Sequence, residues 1–543
     1  RNMKKLVSRF MAVLMAMTMI LSMSMTAFAA EAPKGTLTVN NTVAGKNLDL
    51  YQIFTATKSG ENVAYTLNSA YEGFFQSKIS GASTLTGEAL SEKAYEYVKT
   101  QVGTDGSNGA AFAKDIMGWI LSTSGETKTA VESTHSTTTT ADTKTVIENL
   151  AYGYYVVYPL GATDTSTAPG NGTVKSVASL VSVTGTDATV NMKSNYPTVV
   201  KKVNNKNADD VNIGDTVTYT LTSKVPDMTG YTSYVFNFKD TLSAGLTFKE
   251  ITSVKVGETT ITKVDADQEA DNTYTLTQDG QNITITMNNF LASNKDNTGK
   301  EIKVTYTATL NKDAVTGFDA NKNSATVEYS NKPGTDNKGE SEPSIVDVHT
   351  FNFTIFKYYL KDETKTGLAN AEFELYKANE AGDAADTNAK INIVKVKEGE
   401  YRQATPEEAA AEGFKSDVIV SGTDGKVLVK GLDAGTYYLR ETKAPEGYNK
   451  LLSDIKVEIK ANYDPKTGKL TSYSVDYTYN GTTTTGTEIK DTTTSPEVAV
   501  ENKTGAQLPS TGSKGALMVT LAGIVLFGAL TASKAFGKKK ANN

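Results

Sequence analysis

The stretch Thr216–Thr222 (TVTYTLT) alternates threonine with valine, tyrosine and leucine, so that every second side chain is apolar. A second stretch, Asn282–Met287 (NITITM), alternates in the same way. Alternation with a period of two, in runs rich in β-branched residues, indicates half-buried antiparallel strands. The best helical candidates are short and lie at 91–98, 111–121 and 406–412. The sequence therefore predicts an all-β fold of tandem Ig-like β-sandwich domains.

The composition excludes several classes of function. The chain has 543 residues, no cysteine, two histidines and a net charge of −6. No disulfide or cysteine-based metal site can form, and a two-histidine site would need both His135 and His349. The acidic balance gives no electrostatic basis for binding nucleic acid. We therefore expect no metal, no cofactor, no nucleic-acid partner and no enzyme that turns over a substrate.

The first 30 residues are organised as a secretory signal peptide. Lys4, Lys5 and Arg9 form a basic start, residues 10–30 are uncharged, and Ala27–Ala30 closes the run with small residues. This order predicts export and cleavage near residue 30, with an uncleaved anchor as the alternative. Disulfides persist outside the cell, yet this chain has none. Its domains must therefore be stabilised in another way.

The other end of the chain carries a second membrane signature. Residues 515–533 are uncharged, apolar and about long enough to span a bilayer, and Lys538–Lys540 follow them. The preceding pentapeptide is Leu508-Pro509-Ser510-Thr511-Gly512, which resembles the LPXTG sorting signal of Gram-positive surface proteins. The resemblance implies that a sortase cleaves between Thr511 and Gly512 and transfers Thr511 to an amine. We predict that residues 508–543 are a sorting signal with a transmembrane segment and a basic tail.

The exported part is long enough for about three domains. A polar stretch with a proline at 193–197 and a segment rich in Gly, Asn and Glu at 331–343 are the candidate boundaries. We predict an N-terminal domain over 31–195, a middle domain over 196–343 and a C-terminal domain over 344–505.

The C-terminal domain contains the most specific internal pattern. Its segments are 352–357 (NFTIFK), 435–448 (GTYYLRETKAPEGY) and 498–503 (VAVENK). They resemble a Cna-B-type domain of Gram-positive adhesins and pilins. The resemblance implies that Lys357 and Asn502 condense into an intramolecular isopeptide bond, and that Glu441 promotes the reaction.

This chemistry has a physical basis in the residues. Phe353, Ile355 and Lys357 alternate, so we expect the lysine to point into the core with the two apolar side chains. Burial lowers the pKa of a lysine, and only an uncharged amine attacks an amide carbon. A neighbouring carboxyl can move protons while ammonia leaves, and folding supplies the proximity. The alternative is an ordinary surface lysine, asparagine and glutamate.

The middle domain repeats the pattern with an aspartate. Residues 197–203 (PTVVKKV) open it, 238–242 (FKDTL) follow, and 323–331 (NSATVEYSN) come near its end; these segments resemble the middle domain of major fimbrial subunits, where an aspartate takes the role of the carboxyl group. The resemblance implies that Lys201 is the nucleophile, Asp240 the catalytic acid and Asn323 the acceptor.

The choice of lysine rests on strand periodicity. Val199, Lys201 and Val203 share one face of the predicted strand, which favours Lys201 as the buried amine. Lys202 replaces it if the register differs by one residue, and Asn331 is the alternative acceptor. A sandwich without a cross-link is the other alternative.

Together these resemblances imply a major pilin, the backbone subunit of a fimbria on the cell wall of a Gram-positive bacterium. A pilin-specific sortase would join Thr511 to a lysine of the next identical subunit. Minor pilins, a housekeeping sortase and peptidoglycan would be further partners. The rival function is a monomeric wall-anchored adhesin whose N-terminal domain binds a host protein or glycan.

The sequence does not identify the lysine that accepts Thr511. In such pilins it follows a Tyr-Pro pair, but here Tyr196-Pro197 is followed by Thr198. Lys202, expected on the exposed strand face, is the first candidate and Lys193 the second.

Overall fold

The computed structural model describes residues 33–103, 108–122, 131–163, 176–192 and 195–505. The predicted signal peptide, Lys193, the LPXTG-like pentapeptide and the predicted membrane segment lie outside these residues. No helix among the described residues is long and apolar enough to cross a membrane.

Strands dominate the described chain, which confirms the predicted all-β class. By its contacts the chain divides into two compact units. The first comprises residues up to 209 together with 216–313 and 321–348. The second comprises 210–215, 314–320 and the residues from 349 onward. Six sheets fall in pairs along the chain, within 34–191, 200–349 and 351–501.

The N-terminal pair of sheets is accompanied by helices. Its strands are β1 Lys34–Asn40, β2 Asn47–Ser59, β3 Asn62–Leu67, β4 His135–Thr138, β5 Lys144–Ala151, β6 Gly153–Pro159, β7 Ser179–Val183 and β8 Ala188–Asn191. Its helices are a 3₁₀ turn at Ser69–Tyr71, α1 Glu72–Lys78, α2 Gly87–Val102 and α3 Gly109–Leu121. One sheet has the order β5-β1-β8 and the other β3-β2-β6-β7, with β4 also on β2.

Strand β2 is buried on both faces because it lies between two apolar cores. Leu48 and Leu50 belong to the core between the two sheets. Tyr51 and Ile53 belong to a second core, which the helices complete. The helical candidates at 91–98 and 111–121 lie inside α2 and α3, and α1 was not expected from the sequence. The helices therefore form a third layer on a β-sandwich.

The middle region is a sandwich of two sheets. Its elements are β9 Val200–Val203, β10 Ala208–Asp210, β11 Thr216–Lys224, β12 Phe236–Leu242, β13 Leu246–Val256, β14 Thr259–Thr260, β15 Thr262–Lys263, a 3₁₀ turn at Ala266–Gln268, β16 Thr273–Asp279, β17 Asn282–Met287, α4 Phe290–Asn294, β18 Glu301–Leu310, β19 Asn321–Ser330, β20 Lys338–Glu340 and β21 Ser344–His349. One sheet has the order β14-β13-β18-β11-β9. The other has the order β10-β21-β19-β12-β17-β16-β15, with β20 on β19. The two alternating stretches predicted as strands lie in β11 and β17.

The C-terminal region is a second sandwich. Its elements are β22 Phe351–Lys361, β23 Thr364–Gly367, β24 Glu372–Ala378, β25 Ala385–Lys390, β26 Ile393–Lys397, β27 Glu400–Gln403, α5 Pro406–Ala409, β28 Ile419–Val420, β29 Lys426–Leu432, β30 Gly435–Lys443, β31 Ile455–Tyr463, β32 Leu470–Tyr479, β33 Thr482–Thr484 and β34 Glu497–Glu501. One sheet has the order β23-β22-β29-β27-β26, and the other β25-β24-β30-β31-β32-β33 with β28 on β24. The last strand, β34, pairs in parallel with the first, β22, so that Val500 lies opposite Lys357.

Candidate isopeptide sites

The first candidate site lies between the two sheets of the middle region. Lys201 on β9 is 1% exposed and shares its face with the buried Val199 and Val203, whereas Val200 is 52% exposed. The alternation expected from the sequence is therefore present. Asp240 on β12 and Asn323 on β19 belong to the opposite sheet and are equally buried.

A tyrosine hydroxyl connects the three predicted residues. Lys201 Nζ donates a very short hydrogen bond to Asp240 Oδ2 and another of 2.7 Å to Tyr306 Oη. Tyr306 Oη in turn donates to Asp240 Oδ2 at 2.8 Å. Asn323 Nδ2 donates to Tyr306 Oη at 2.7 Å. The amine and the amide nitrogen thus touch the same oxygen atom.

Asp240 Oδ1 and Asn323 Oδ1 lie in this pocket, are shielded from solvent and have no hydrogen-bond partner among the described residues. An unpaired polar atom in the protein interior costs about 1–3 kcal/mol and calls for an explanation. Such a cost is common where a reactive group is held in place by the surrounding fold.

The second candidate site lies in the C-terminal region. Residues from its first and last strands meet there with a residue of the other sheet. Lys357 on β22 and Glu441 on β30 have buried side chains, and Lys357 Nζ lies 3.0 Å from Glu441 Oε1. The two groups form a buried ion pair. Asn502 follows β34 directly, is 2% exposed, and donates its backbone N–H to the carbonyl of Tyr358 at 2.9 Å.

The segment after β30 holds both partners of Lys357. A turn closed by a hydrogen bond from Tyr448 N to Pro445 O, with Gly447 at φ 84°, reverses the chain. The positive φ explains why a glycine stands there. Leu451 N then donates to Glu441 Oε2 at 2.7 Å, and Asn502 Nδ2 donates to the carbonyl of Asn449 at 2.6 Å. Like Asn323, Asn502 has a buried Oδ1 without a partner among the described residues.

Both lysines have a depressed pKa. Burial lowers the pKa of Lys201 to about 8 although Asp240 opposes the shift. Burial likewise lowers the pKa of Lys357 to about 8, against the opposing effect of Glu441. A larger share of each amine is therefore uncharged near neutral pH than for a solvent-exposed lysine, and the uncharged amine is the nucleophilic form.

The alternatives weighed from the sequence lie elsewhere. Asn331 is half-buried and hydrogen-bonds through its backbone to Asn337, away from the Lys201 pocket. Lys202 points out of the pocket, but it is half-buried rather than fully exposed, because its Nζ donates to Asn207 Oδ1 at 2.5 Å. Lys193, Leu508, Pro509, Thr511 and Gly512 lie outside the described residues.

Two residues of interest were missed from the sequence. Tyr306 bridges the Lys201 pocket, and the signal for it was the alternation of apolar residues along 302–308, which places its ring in the core. Lys46 was the other, since its Nζ lies 4.9 Å from the centre of the Tyr196 ring. Nothing in the local sequence around Lys46 indicated that contact, because the two residues are far apart along the chain.

The pH dependence of stability tests whether Lys357 is free or bonded. Asn502→Ala keeps Lys357 as an amine whose pKa is about 8 in the fold, against 10.5 for an ordinary lysine. Between these values the unfolded chain binds more protons, so the stability of the variant should rise with pH, by on the order of 2–3 kcal/mol. A wild-type chain that carries the bond would have no amine to titrate there. Denaturant unfolding at pH 7 and 10 should show the gap between the two proteins narrowing, and a constant gap would contradict a bonded Lys357.

Two regions of the chain match models of known protein families. Residues 354–473 match the prealbumin-like fold domain SpaA. Residues 213–333 match the Gram-positive pilin backbone subunit 2, a Cna-B-like domain. The Cna-B-like description thus falls on the middle region, while the C-terminal region matches the prealbumin-like model. The middle region is therefore the part of the chain that is similar to a Gram-positive pilin backbone subunit by this comparison.

Known proteins similar to this chain are surface and fimbrial proteins. The trypsin-resistant surface T6 protein of Streptococcus pyogenes serotype M6 is 26% identical in an alignment of length 322 that covers 53% of this chain and 50% of that protein. The fimbrial subunit type 2 of Actinomyces naeslundii is 28% identical in an alignment of length 280 that covers 48% of this chain and 50% of that protein. The chain thus spans about half the length of the curated relatives it matches. The solved T6 backbone pilin of serotype M6 S. pyogenes, described as a modular three-domain structure, has 15% identity and a TM-score of 0.46, with 88% of this chain and all of that one covered.

Proposed function

We propose that the chain is the backbone subunit of a covalently assembled pilus on the surface of a Gram-positive bacterium. Lys201–Asn323 and Lys357–Asn502 isopeptide bonds stabilise its middle and C-terminal domains. The observation that carries the proposal is the presence of two separate buried pockets, each with a lysine, a carboxyl group and an asparagine. Similarity to the fimbrial subunit of A. naeslundii and to the T6 protein supports it.

The condensation follows from the contacts of each pocket. The carboxylate takes a proton from the lysine, and the neutral amine attacks Cγ of the asparagine. The Cγ–Nδ2 bond breaks, and ammonia leaves with a proton returned by the pocket. No cofactor is needed, since folding alone brings the reacting groups together. The reaction occurs once in each chain, which distinguishes it from enzymatic turnover.

The position of the C-terminal bond suits a subunit that carries tension. Lys357 is on β22 and Asn502 follows β34, so the bond would connect the first and last strands of that domain. These are the strands that a force along the chain loads first. A covalent link between them passes the force on without breaking the hydrogen bonds of the sheet.

Assembly would use the sorting signal. In this proposal a pilin-specific sortase cleaves after Thr511 and joins it to a lysine of the next identical subunit. A housekeeping sortase attaches the finished polymer to peptidoglycan, and minor pilins decorate it. Lys202 and Lys193 are the candidate acceptors from the sequence, and Lys46 joins them because its amine lies against Tyr196.

Polymer formation tests this function. Wall extracts of cells making the wild-type chain should contain a ladder of high-mass species that survives boiling in detergent. Thr511→Ala should abolish the ladder, while Ser510→Ala, at the variable position of the pentapeptide, should keep it. Peptide mapping of the ladder would identify the acceptor lysine. A single band from the wild-type chain would contradict the pilus and support the wall-anchored adhesin.

A further inference from the structure

We propose that Tyr306 is a catalytic residue of the Lys201–Asn323 condensation, in which its hydroxyl relays a proton from Asp240 to the leaving nitrogen of Asn323. The inference rests on the proposed function, because it assigns a role within that reaction. It goes beyond the lysine, acid and asparagine predicted from the sequence.

The hydroxyl occupies the one position that touches all three reacting groups. It lies 2.7 Å from Lys201 Nζ, 2.8 Å from Asp240 Oδ2 and 2.7 Å from Asn323 Nδ2. It donates its own hydrogen to the carboxylate and accepts hydrogen bonds from both nitrogens. No hydrogen bond links Asp240 directly to Asn323 Nδ2 among the described residues, so the hydroxyl is the connection between them.

The proton balance needs such a connection. Asp240 first takes a proton from the Lys201 ammonium, and the amine then bonds to Cγ of Asn323. When the Cγ–Nδ2 bond breaks, the nitrogen needs one more hydrogen to leave as ammonia. Tyr306 gives its hydroxyl proton to Nδ2 and recovers one from the carboxyl of Asp240. Asp240 then takes the remaining extra proton from the new amide nitrogen, so every proton is accounted for.

The surroundings keep the hydroxyl in its protonated form. Tyr306 is 1% exposed and its ring stacks on that of Tyr219 at 5.1 Å. Burial, reinforced by the charge of Asp240, raises the pKa of Tyr306 well above the ordinary value of 10. The group therefore always has a proton to donate and does not compete with Lys201 as a nucleophile.

The C-terminal site lacks this arrangement and supplies an internal control. Lys357 Nζ lies 5.8 Å from the ring centre of Phe373, which has no hydroxyl. Asn502 Nδ2 donates to a backbone carbonyl rather than to a tyrosine. A variant of Tyr306 should therefore affect the middle bond and leave the C-terminal bond unchanged.

Cell-free synthesis of the full chain, stopped at timed intervals by denaturation, tests the relay. Digestion and mass spectrometry would give the fraction of chains with each cross-linked peptide. In Tyr306→Phe the Lys201–Asn323 bond should form about 100- to 10 000-fold more slowly, consistent with the loss of general acid catalysis, while the Lys357–Asn502 bond keeps its rate. Tyr274→Phe, which removes the hydroxyl of another buried tyrosine of the domain, on β16 rather than in this pocket, should keep the wild-type rate.

Rates are taken only from chains whose middle domain resists protease. Each result of the experiment then has a single interpretation. A wild-type rate in Tyr306→Phe would overturn the relay. An equal slowing by Tyr274→Phe would overturn it too, since the general loss of a tyrosine hydroxyl from the domain, and not the relay, would then be responsible. Absence of the Lys201–Asn323 bond in the wild-type chain would instead refute the proposed function at that site.

Discussion

Asn502→Ala should lower the free energy of unfolding of the C-terminal domain by about 5 kcal/mol. The proposed Lys357–Asn502 bond would close a loop of more than 100 residues, and in the chain-entropy model the loss of such a cross-link stabilises the unfolded state by about that amount. For a domain of this size the melting temperature should fall by roughly 10–20 °C. Calorimetry of the exported chain would measure the shift.

Two control variants distinguish the effect of losing the covalent bond from the effect of losing an asparagine side chain. Asn392→Ala removes an exposed asparagine of the same domain and should leave the melting temperature within about 1–2 °C of the wild type. Asn323→Ala should destabilise the middle domain and leave the C-terminal transition in place. A loss of about 1 kcal/mol in Asn502→Ala would indicate that only the hydrogen bond to Asn449 was removed, and would count against the covalent bond.

Glu441→Gln should slow formation of the C-terminal bond by a factor of about 100 to 10 000, because an amide cannot take the lysine proton or return it to the leaving group. Gln has nearly the same shape as Glu and can still accept from Leu451 N, so the pocket keeps its geometry. Freshly made protein should be heavier than the bonded chain by the mass of one ammonia. Intact mass spectrometry over hours would follow the remaining reaction.

Glu501→Gln is the matched control for this variant. Glu501 is close enough to Lys357 to affect its pKa, but the ion pair is made by Glu441. If contact with the amine is what matters, Glu501→Gln forms the bond at the wild-type rate. Equal slowing in both variants would mean that the general negative charge around Lys357 drives the reaction, and not proton transfer by Glu441. Asp240→Asn should slow the middle bond in the same way.

The fold class and the two buried lysines could be predicted because both depend on strand periodicity. Alternation places Lys357 on the face of Phe353 and Ile355, and it places Lys201 on the face of Val203. Each prediction needed only neighbouring residues along one strand. The carboxyl groups and asparagines, which lie on other strands, came from the resemblance to known pilin domains.

Contacts between the sheets could not be predicted in this way. Tyr306 reaches Asp240 and Asn323 only because β18 faces β12 and β19 across the core, and that pairing is a property of the packed domain. Helix α1, and the packing of the helices on β2 as a further layer, were missed for a related reason. The run from Leu48 to Phe54 is buried on both faces and so departs from alternation. That continuous run was the available signal that a further layer covers β2.

The absence of cysteine is consistent with stabilisation by bonds between lysine and asparagine. An exported chain without disulfides needs another source of stability, and two bonds between lysine and asparagine would provide it from ordinary residues. Such bonds do not depend on the redox state of the surroundings. Their formation relies on burial, since burial lowers the pKa of both lysines.

The intact mass of the exported wild-type chain tests the central claim most directly. Each condensation releases one ammonia through the proton transfers described above, so two bonds lower the mass by about 34 Da relative to the sequence. Fragmentation should then show one cross-linked pair containing Lys201 and Asn323 and another containing Lys357 and Asn502. An unshifted mass with four separate unmodified peptides would contradict the account.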